Sequence, residues 1–395
     1  MKILFYATHY SQPIGYGRVA HKLVNFLSSQ GHDMHYFAIT NYEQANHTDR
    51  LISPSINVLD VVKQNKNDPY GFELIKQTLL DVKPDVFFIY NDVVVICNIL
   101  NQIVSIEKTF KIITYLDLVF DYERYNYIDY INSRVDRILV FSDHWKKNLI
   151  NMNVSDEKIY VLPHGIDDCF VPIDKQECRR QLSLSQDDFI ILNTNRNSYR
   201  KALDITIKAF LVFLKNNNFK PGIKLYLNCN LKTENGYDIQ ELTKTECVKL
   251  GIDYKLVLNN HVFKYHSNEG GITDKELNTL YCASDVGVNT CLGEGFGLCN
   301  LEHLSLGVPQ ITTEVGGLID FIPVEMRVKP KVILSAPNLL DEHNGDLSIC
   351  DHLDFASRIQ MIYDESLQLQ IDTVSLREKY NWDVILKDFK EMIDI

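Results

Sequence analysis

The chain has 395 residues, of which 45% are hydrophobic and 23% are charged, and its formal net charge is −12. This length suits two domains better than a single core. The acidic balance argues against a nucleic-acid backbone as partner, because that affinity comes from Lys and Arg. An anionic ligand would therefore need a local cationic pocket.

The nine cysteines are irregularly spaced and include no C-x-x-C pair. This number and spacing of cysteines is typical of reduced thiols in a cytosol-like compartment, and it argues against a disulfide framework or a zinc site. The chain opens directly with a strand-like run, Lys2–Ala7, so we expect no signal peptide. The most apolar window, Asp85–Leu100, is too short and too polar to span a bilayer. We expect a soluble, cytoplasmic protein.

Short apolar runs alternate with helix-period stretches along the chain, which is typical of parallel α/β folds. The strands predicted in the first half are Lys2–Ala7, His35–Ile39, Asp85–Tyr90, Lys111–Leu116, Arg137–Phe141 and Lys158–Leu162. The clearest predicted helix is Gly17–Ser29, which has one apolar face and stops before Gly31.

A glycine-rich loop precedes this helix. Gly15 and Gly17 lie in a G-x-G-x-x-A sequence that formally matches the dinucleotide fingerprint. Seven residues, Thr8–Ile14, separate Gly15 from the first strand, and no acid directly ends the second strand. We therefore do not expect an NAD site here. For Arg18, a plain tight turn explains the sequence as well as a ligand role does.

The α/β pattern restarts after Pro163–Asp167. The strands predicted here are Phe189–Asn193, Lys224–Cys229, Lys255–Leu258, Asp285–Asn289 and Pro309–Thr312, and the helices are Lys201–Lys215, Thr273–Ala283 and Gly297–Leu306. The final segment, Ser375–Ile395, has the pattern of an amphipathic helix. Two similar halves predict two Rossmann-like domains, at residues 1–165 and 166–375.

A cationic loop follows the first strand of the second half. Arg196, Arg200 and Lys201 lie within six residues, just past the carboxyl end of Phe189–Asn193. Open α/β sheets bind ligands at such strand ends. Arg offers a planar fork of donors to phosphate oxygens, and Lys offers a point charge. The loop is either a diphosphate clamp or a solvated basic turn.

Residues Glu294 to Glu302 read EGFGLCNLE, with seven residues between the two carboxylates. The Gly-Phe-Gly turn leads into a predicted helix start, whose free N–H groups make an anion site. Glu302 would lie roughly 7–8 Å further along the helix axis. A nucleotide diphospho-sugar has this layout of phosphate and ribose. Acids near a helix start also simply complement the helix dipole.

Together these motifs resemble the retaining GT-B glycosyltransferases, especially glycosyltransferase family 4 with its E-x7-E signature. The resemblance continues through Glu276–Tyr281, Gly307–Pro309 and Thr313–Gly317. It implies an α/β fold in which two Rossmann-like parallel-sheet domains face each other across a cleft. It also implies that the C-terminal helix, 376–395, crosses back to the first domain.

The resemblance implies transfer of a sugar from a nucleotide diphospho-sugar to a hydroxyl acceptor on a glycan, lipid or protein, with retention of configuration. GDP-mannose is the first donor to test and a UDP-sugar the next. No cofactor or metal is expected, since no Asp-x-Asp lies at a strand end. Peripheral membrane contact is compatible with this function. Val262–Thr273 is the segment expected to contact the base.

The residues that the resemblance implies for catalysis are Glu294, Asp117, Arg196 and Lys201. Those that it implies for donor binding are Gly15, Gly17, Arg196, Lys201, Phe296, Gly297, Leu298 and Glu302. The two cations would clamp the diphosphate, the amides from Phe296 onward would hold the distal phosphate, and Glu302 would bind the ribose. Glu294 would contact the sugar. Arg200 has no family counterpart.

One position departs from the family pattern. Many relatives have His-Asp where this chain has Leu116-Asp117, so either the sugar is held differently, transfer is slow, or the alignment is shifted. His9, His144 and His164 lie near motifs but are more readily explained as structural. The alternative functions are a nucleotide-sugar epimerase, a phosphorylase and a nucleotide-sugar-binding pseudoenzyme.

Overall fold

The computed structural model describes residues 1–42, 50–264, 272–335, 344–365 and 370–393. Over these residues the chain divides into two units. Unit 1 comprises residues 1–165 and the segment from Tyr380 onward, and unit 2 comprises residues 166–379.

Unit 1 contains a seven-stranded parallel sheet with the order β3-β2-β1-β4-β5-β6-β7. Its strands are β1 (Lys2–Thr8), β2 (Asp33–Ile39), β3 (Asn57–Asp60), β4 (Val86–Asp92), β5 (Lys111–Asp117), β6 (Arg137–Val140) and β7 (Ile159–Val161). Phe5 and Phe88 stack across the two central strands with ring centroids 4.9 Å apart. The strand order reverses direction at β1, and such switch points are where doubly wound sheets bind ligands.

The helices of the first 165 residues lie between these strands. They are α1 (Gly15–Ser29), α2 (Val61–Gln64), α3 (Ile75–Val82), α4 (Val93–Gln102), α5 (Tyr125–Arg134) and α6 (Asp143–Asn151). Asp92 and Ser142 cap α4 and α6 by accepting hydrogen bonds from backbone N–H groups in the first turn, which satisfies donors that the helix cannot.

Unit 2 contains a six-stranded parallel sheet with the order β10-β9-β8-β11-β12-β13 and a separate antiparallel hairpin. The sheet strands are β8 (Phe189–Asn193), β9 (Ile223–Leu227), β10 (Val262–Lys264), β11 (Val286–Asn289), β12 (Gln310–Thr313) and β13 (Arg327–Val328); the hairpin strands are β14 (Val332–Ser335) and β15 (Asp346–Ile349). Because β8 and β11 are neighbours, the loops that follow them leave the same edge side by side.

The helices of unit 2 are α7 (Lys175–Gln181), α8 (Leu203–Asn216), α9 (Ile239–Lys249), α10 (Tyr254–Asn260), α11 (Asp274–Ala283), α12 (Leu298–Ser305), α13 (His352–Tyr363) and α14 (Thr373–Lys379). Helix α8 is apolar over most of its surface, and Phe210, Phe213 and Leu214 are fully buried in the core. Among the helices in the described ranges, none is long and apolar enough to cross a membrane.

The predicted strand Lys255–Leu258 is wrong, because these residues lie in α10. A short apolar run fits a buried helix turn as well as a strand. Asp253 caps the start of α10 by accepting a hydrogen bond from the Lys255 N–H at 2.9 Å, which favours a helix over a strand here. The next strand of the sheet is β10, a few residues further on.

The C-terminal segment forms two helices where one was predicted. Helix α14 ends at Lys379 and α15 (Trp382–Ile393) follows after a break. Phe389 of α15 packs edge-on against Phe88 with centroids 5.7 Å apart, and Arg137 donates from Nη1 to the Met392 carbonyl at 2.7 Å. The last helix therefore returns to unit 1, and the predicted α/β class with two Rossmann-like parallel sheets is confirmed.

Candidate functional site

The cationic loop after β8 and the acidic loop after β11 are joined by hydrogen bonds. The Leu292 N–H donates to the Arg200 carbonyl at 2.8 Å, and Arg200 Nη1 donates to the Gly293 carbonyl at 2.5 Å. These bonds fix the backbone directly before Glu294. Arg200, which has no counterpart in the family pattern, thus holds the acidic loop in place.

Lys201 and Glu294 form an ion pair whose side chains are only 9% and 11% exposed. Asn289 at the end of β11 also donates from Nδ2 to the same Glu294 oxygen at 3.3 Å. Burial raises the pKa of the Glu294 carboxyl, but Lys201 and Arg200 outweigh burial and hold that pKa below its ordinary value. The structure therefore brings two predicted site residues together as a charged, buried pair.

Gly297 shapes the turn between this pair and α12. Its φ of 87° and ψ of 44° are left-handed, a conformation that favours glycine. A Cβ atom there would overlap the Leu318 side chain. Helix α12 then begins at Leu298, so its first N–H groups face the end of the acidic loop. This geometry suits an anion at the start of α12.

Glu302 lies on α12 and is only 1% exposed. The Tyr281 hydroxyl donates to its Oε2 at 3.4 Å, and the Tyr281 ring stacks on His303 with centroids 4.5 Å apart. Burial lowers the pKa of His303 to about 3, so this imidazole is neutral at physiological pH. Glu302 is thus a buried side chain of α12 that accepts a hydrogen bond from Tyr281 of α11.

Arg196 is placed differently from the other predicted cation. Its side chain is exposed and, over the described ranges, it makes no hydrogen bond or ion pair. The structure therefore brings Lys201 and Glu294 together beside the Gly297 turn and places Glu302 further along α12. Arg196 is left at the edge of the loop after β8.

The glycine-rich segment Gly15–Gly17 was predicted as a loop, but it forms the first turn of α1. In unit 1 this turn meets Asp117 at the carboxyl edge of the sheet. Tyr16, between the two glycines, donates its hydroxyl hydrogen bond to Asp117 Oδ2. Burial and then Asp117 raise the pKa of Tyr16, so the phenol stays protonated. Gly17 allows a close approach, because a Cβ there would lie 2.6 Å from the Gln12 carbonyl oxygen.

The position that differs from the family pattern, Leu116, is buried and apolar in β5. The three candidate histidines have structural surroundings. Burial lowers the pKa of His164 to about 3, with Arg18 adding to the effect, and burial lowers the pKa of His9 to about 4. His144 is hydrogen bonded through Nε2 to Asp121 at 2.6 Å. The first two imidazoles are therefore uncharged near neutral pH.

Two family models match the chain in sequence. "Glycosyltransferase Family 4" matches residues 14–169, which cover most of unit 1. "Glycosyl transferases group 1" matches residues 189–330, which contain both loops of the site in unit 2.

The chain belongs to the family 4 type of GT-B glycosyltransferases.

Similar proteins support the fold of this family 4 chain. The sucrose-phosphate synthase of Thermosynechococcus elongatus has a TM-score of 0.72 at 18% identity, covering 100% of this chain and 98% of that one. HepE of Anabaena, solved in complex with UDP-glucose, has a TM-score of 0.68 at 14% identity, covering 100% and 99%. At these identities the likeness shows the fold alone.

Among curated proteins, the D-inositol 3-phosphate glycosyltransferase of Actinosynnema mirum is 27% identical over 197 residues. The match covers 49% of this chain and 44% of that protein. The chain thus matches about half the length of its curated relatives.

Three residues of the candidate site were not identified from the sequence. Tyr16 gave no usable signal, because it lies 101 positions before its partner Asp117. Asn289 ends the predicted strand Asp285–Asn289, but the pattern does not say that its side chain meets Glu294 five positions later. Tyr281 lies inside the matching segment Glu276–Tyr281, but the pattern does not say that its hydroxyl faces Glu302. Within the described residues, no cluster of three or more His, Cys, Asp or Glu side chains could hold a metal ion.

Glu123 lies in the loop between β5 and α5, and its Oε1 accepts from the Val119 N–H at 2.8 Å. Burial raises the pKa of the Glu123 carboxyl from its ordinary value to about 8. The folded state therefore holds a proton that the unfolded chain releases, so stability is full in mild acid and falls as pH rises toward 8. Glu123→Gln, which mimics the protonated form, should remove up to a few kcal/mol of this pH dependence, at about 1.4 kcal/mol per pKa unit.

Urea unfolding near pH 5 and near pH 8 measures the effect for Glu123. Glu107→Gln, on an exposed side chain, is the matched control and should follow wild type at both pH values. Parallel pH profiles for Glu123→Gln and wild type would contradict a buried, protonated Glu123.

Proposed function

We propose that this chain is a hexosyltransferase that moves a sugar from a nucleotide diphospho-sugar to a hydroxyl acceptor, with retention of configuration and without a metal ion. The observation that carries the proposal is the buried Lys201–Glu294 pair beside the Gly297 turn and the start of α12. A fixed cation and a helix N-terminus together match the charge of a diphosphate.

In this proposal the donor lies along the loops of unit 2. Lys201 and Arg196 bind the diphosphate, and the first N–H groups of α12 bind its distal phosphate. Glu302, already oriented by Tyr281, accepts hydrogen bonds from the ribose hydroxyls. Glu294 contacts the sugar. Its ion pair with Lys201 keeps that ammonium in position. As the glycosidic bond breaks, charge grows on the leaving phosphate, and preorganised donors stabilise that transition state more than the ground state.

The donor remains a choice between two nucleotides. Family mannosyltransferases make GDP-mannose the first trial, and HepE, a neighbour in fold solved with UDP-glucose, supports testing UDP-sugars beside it. The segment expected to contact the base, Val262–Thr273, lies largely outside the described residues.

Calorimetry with UDP and GDP tests the assignment. Arg196→Ala and Glu302→Ala should each weaken nucleotide affinity by roughly tenfold to a hundredfold, since a hydrogen bond to a charged group contributes about 1.5–3 kcal/mol. Arg180→Ala and Glu241→Ala, on exposed surfaces of unit 2, are matched controls and should leave affinity unchanged. Unaltered affinity in both site variants would rule out these roles.

Product analysis then separates the alternatives. Incubation with donor alone should leave the nucleotide sugar intact, and addition of an acceptor should release the nucleoside diphosphate. An altered sugar in the absence of acceptor would identify an epimerase. Tight donor binding without turnover across an acceptor panel would identify a pseudoenzyme.

A further inference from the structure

Three buried amide side chains form one hydrogen-bonded series in unit 2. Gln310 begins β12, Asn300 lies in the first turn of α12, and Asn289 ends β11; their exposed fractions are 1%, 4% and 0%. Asn300 donates from Nδ2 to Gln310 Oε1 at 2.9 Å, and Asn289 donates from Nδ2 to Asn300 Oδ1 at 2.8 Å. We name these three residues the amide chain.

Backbone groups fix the direction of the amide chain at both ends. Gln310 donates from Nε2 to the Pro309 carbonyl at 3.0 Å. Since a carbonyl only accepts, the Gln310 side-chain oxygen must face Asn300. At the other end Asn289 Oδ1 accepts from the Cys291 N–H at 3.2 Å, and an N–H only donates. Each amide therefore has one orientation that satisfies its neighbours.

A glycine makes room for the remote end of the amide chain. Gly287 of β11 pairs in register with Gln310 of β12. A Cβ atom on Gly287 would lie 2.3 Å from Gln310 Oε1 and 2.5 Å from Gln310 Nε2. The Gln310 amide is therefore packed directly against the backbone of β11, which leaves it little freedom to rotate.

The near end of the amide chain holds the Glu294 carboxylate. An amide nitrogen carries two hydrogens. Asn289 directs one of them to Asn300 and the other to Glu294 Oε2, at 3.3 Å. Lys201 donates to the same oxygen. Over the described parts of the chain, Glu294 Oε1 has no hydrogen-bond partner, which leaves this second oxygen for a ligand.

The hydrogen bond from Asn289 also affects the charge of Glu294. Burial raises the pKa of this carboxyl, while Lys201, Arg200 and the Asn289 amide lower it. Glu294 therefore depends on its fixed donors to stay ionised in a buried place. Burial raises the pKa of two thiols beside this carboxyl and so keeps them uncharged, namely Cys291 and Cys299.

We propose that Gln310 is a positioning residue for the donor site, and that it acts on Glu294 through the rest of the amide chain. This inference rests on the proposed function and adds a residue that has no assigned contact with the nucleotide sugar. Loss of the Gln310 amide frees Asn300 to rotate, and a rotated Asn300 presents its Nδ2 to Asn289 Nδ2. Two donors cannot share a hydrogen bond, so Asn289 turns away from Glu294.

Carbon-13 NMR on the full chain, labelled at the glutamate carboxyls and free of nucleotide, tests the proposal. Glu294→Gln identifies the Glu294 resonance by its absence. Gln310→Met keeps a similar volume without the amide. It should shift the Glu294 resonance near pH 7 and raise the pKa of Glu294 on acidification, because a hydrogen bond to the carboxylate is lost.

A double-mutant cycle shows whether Gln310 acts through Asn289. Asn289→Leu should itself raise the pKa of Glu294, and adding Gln310→Met should then change it no further, since residues of one network are not additive. Gln360→Met is the matched control. It breaks a hydrogen bond from Asn217 Nδ2 to Gln360 Oε1 at 2.7 Å, also in unit 2, and should leave Glu294 as in wild type.

Steady-state kinetics with nucleotide sugar and acceptor provide a second measurement. Gln310→Met should lower kcat by about threefold to tenfold, the range for one lost neutral hydrogen bond. The KM for the nucleotide sugar should stay near wild type, because Lys201 and the N–H groups of α12 are unchanged. In the Asn289→Leu background, kcat should be the same with and without Gln310→Met.

The outcomes separate positioning from packing. An unchanged Glu294 resonance and pKa in Gln310→Met would overturn the proposal. An equal further change in the Asn289→Leu background would overturn it too, and would assign Gln310 to packing alone. If Gln310→Met does not fold, Asn300→Leu combined with Gln310→Met replaces both amides by apolar side chains, and the same predictions apply. The NMR results need no turnover, so a wild-type chain without transferase activity contradicts the proposed function and not the amide chain.

Discussion

Lys201→Met is expected to destabilise the protein by about 3–5 kcal/mol, the usual cost of leaving a buried charge without its partner. Glu294 would remain buried with its pKa no longer lowered by Lys201, and it would take up a proton in the folded state. Donor binding should be lost as well, because the same ammonium is proposed to bind the diphosphate. Urea unfolding and nucleotide calorimetry measure the two effects.

Lys208→Met is the matched control, since Lys208 pairs with Asp204 on the nearby surface of α8 at 2.8 Å. Such partly exposed pairs contribute at most about 1 kcal/mol. The double variant Lys201→Met with Glu294→Leu should recover much of the stability but none of the donor binding. If Lys201→Met costs no more than Lys208→Met, the buried pair is not a strong interaction.

Gly317→Ala is expected to reduce kcat/KM by about a hundredfold, the usual result of moving a site by roughly an ångström. A Cβ at Gly317 would lie 2.5 Å from the Gly295 carbonyl oxygen and 2.8 Å from Phe296 Cα. Both are backbone atoms, so the turn that carries Glu294 must shift. Overpacking of this kind should also cost about 1–3 kcal/mol of stability.

Gly222→Ala is the control for Gly317→Ala, because the nearest atom to its new Cβ, the Asp187 carbonyl oxygen, lies at 3.4 Å. Steady-state kinetics and thermal unfolding on both variants separate a local shift from general instability. Wild-type kcat/KM in Gly317→Ala would mean that the position of the Glu294 turn does not control the reaction.

Much of the fold could be predicted from hydrophobic pattern alone. Strands such as Phe189–Asn193 were predicted with the bounds that the structure gives, because a buried parallel strand is a short apolar run between turns. The prediction failed at Lys255–Leu258. Four residues are too few to show a helical or strand periodicity, and the capping Asp253 favours a helix. The break before Trp382 was missed for a similar reason, since an amphipathic pattern continues across it.

The site could be predicted in its residue types but not in its contacts. Lys201 and Glu294 lie 93 positions apart, and their pairing depends on β8 and β11 being neighbours in the sheet. Arg200 has no match in the family pattern, yet it donates a hydrogen bond to the Gly293 carbonyl. This contact forms because the loops after β8 and β11 lie side by side. Tyr16 could not be connected to Asp117 either, because this contact joins α1 to β5 across 101 positions of the chain.

The most direct measurement is a crystal structure of the chain with bound UDP or GDP. We expect the diphosphate on Lys201 and the first N–H groups of α12, with the ribose hydroxyls on Glu302. A nucleotide ordered at any other place, with Lys201 and Glu302 making no contact to it, would contradict the proposed donor site.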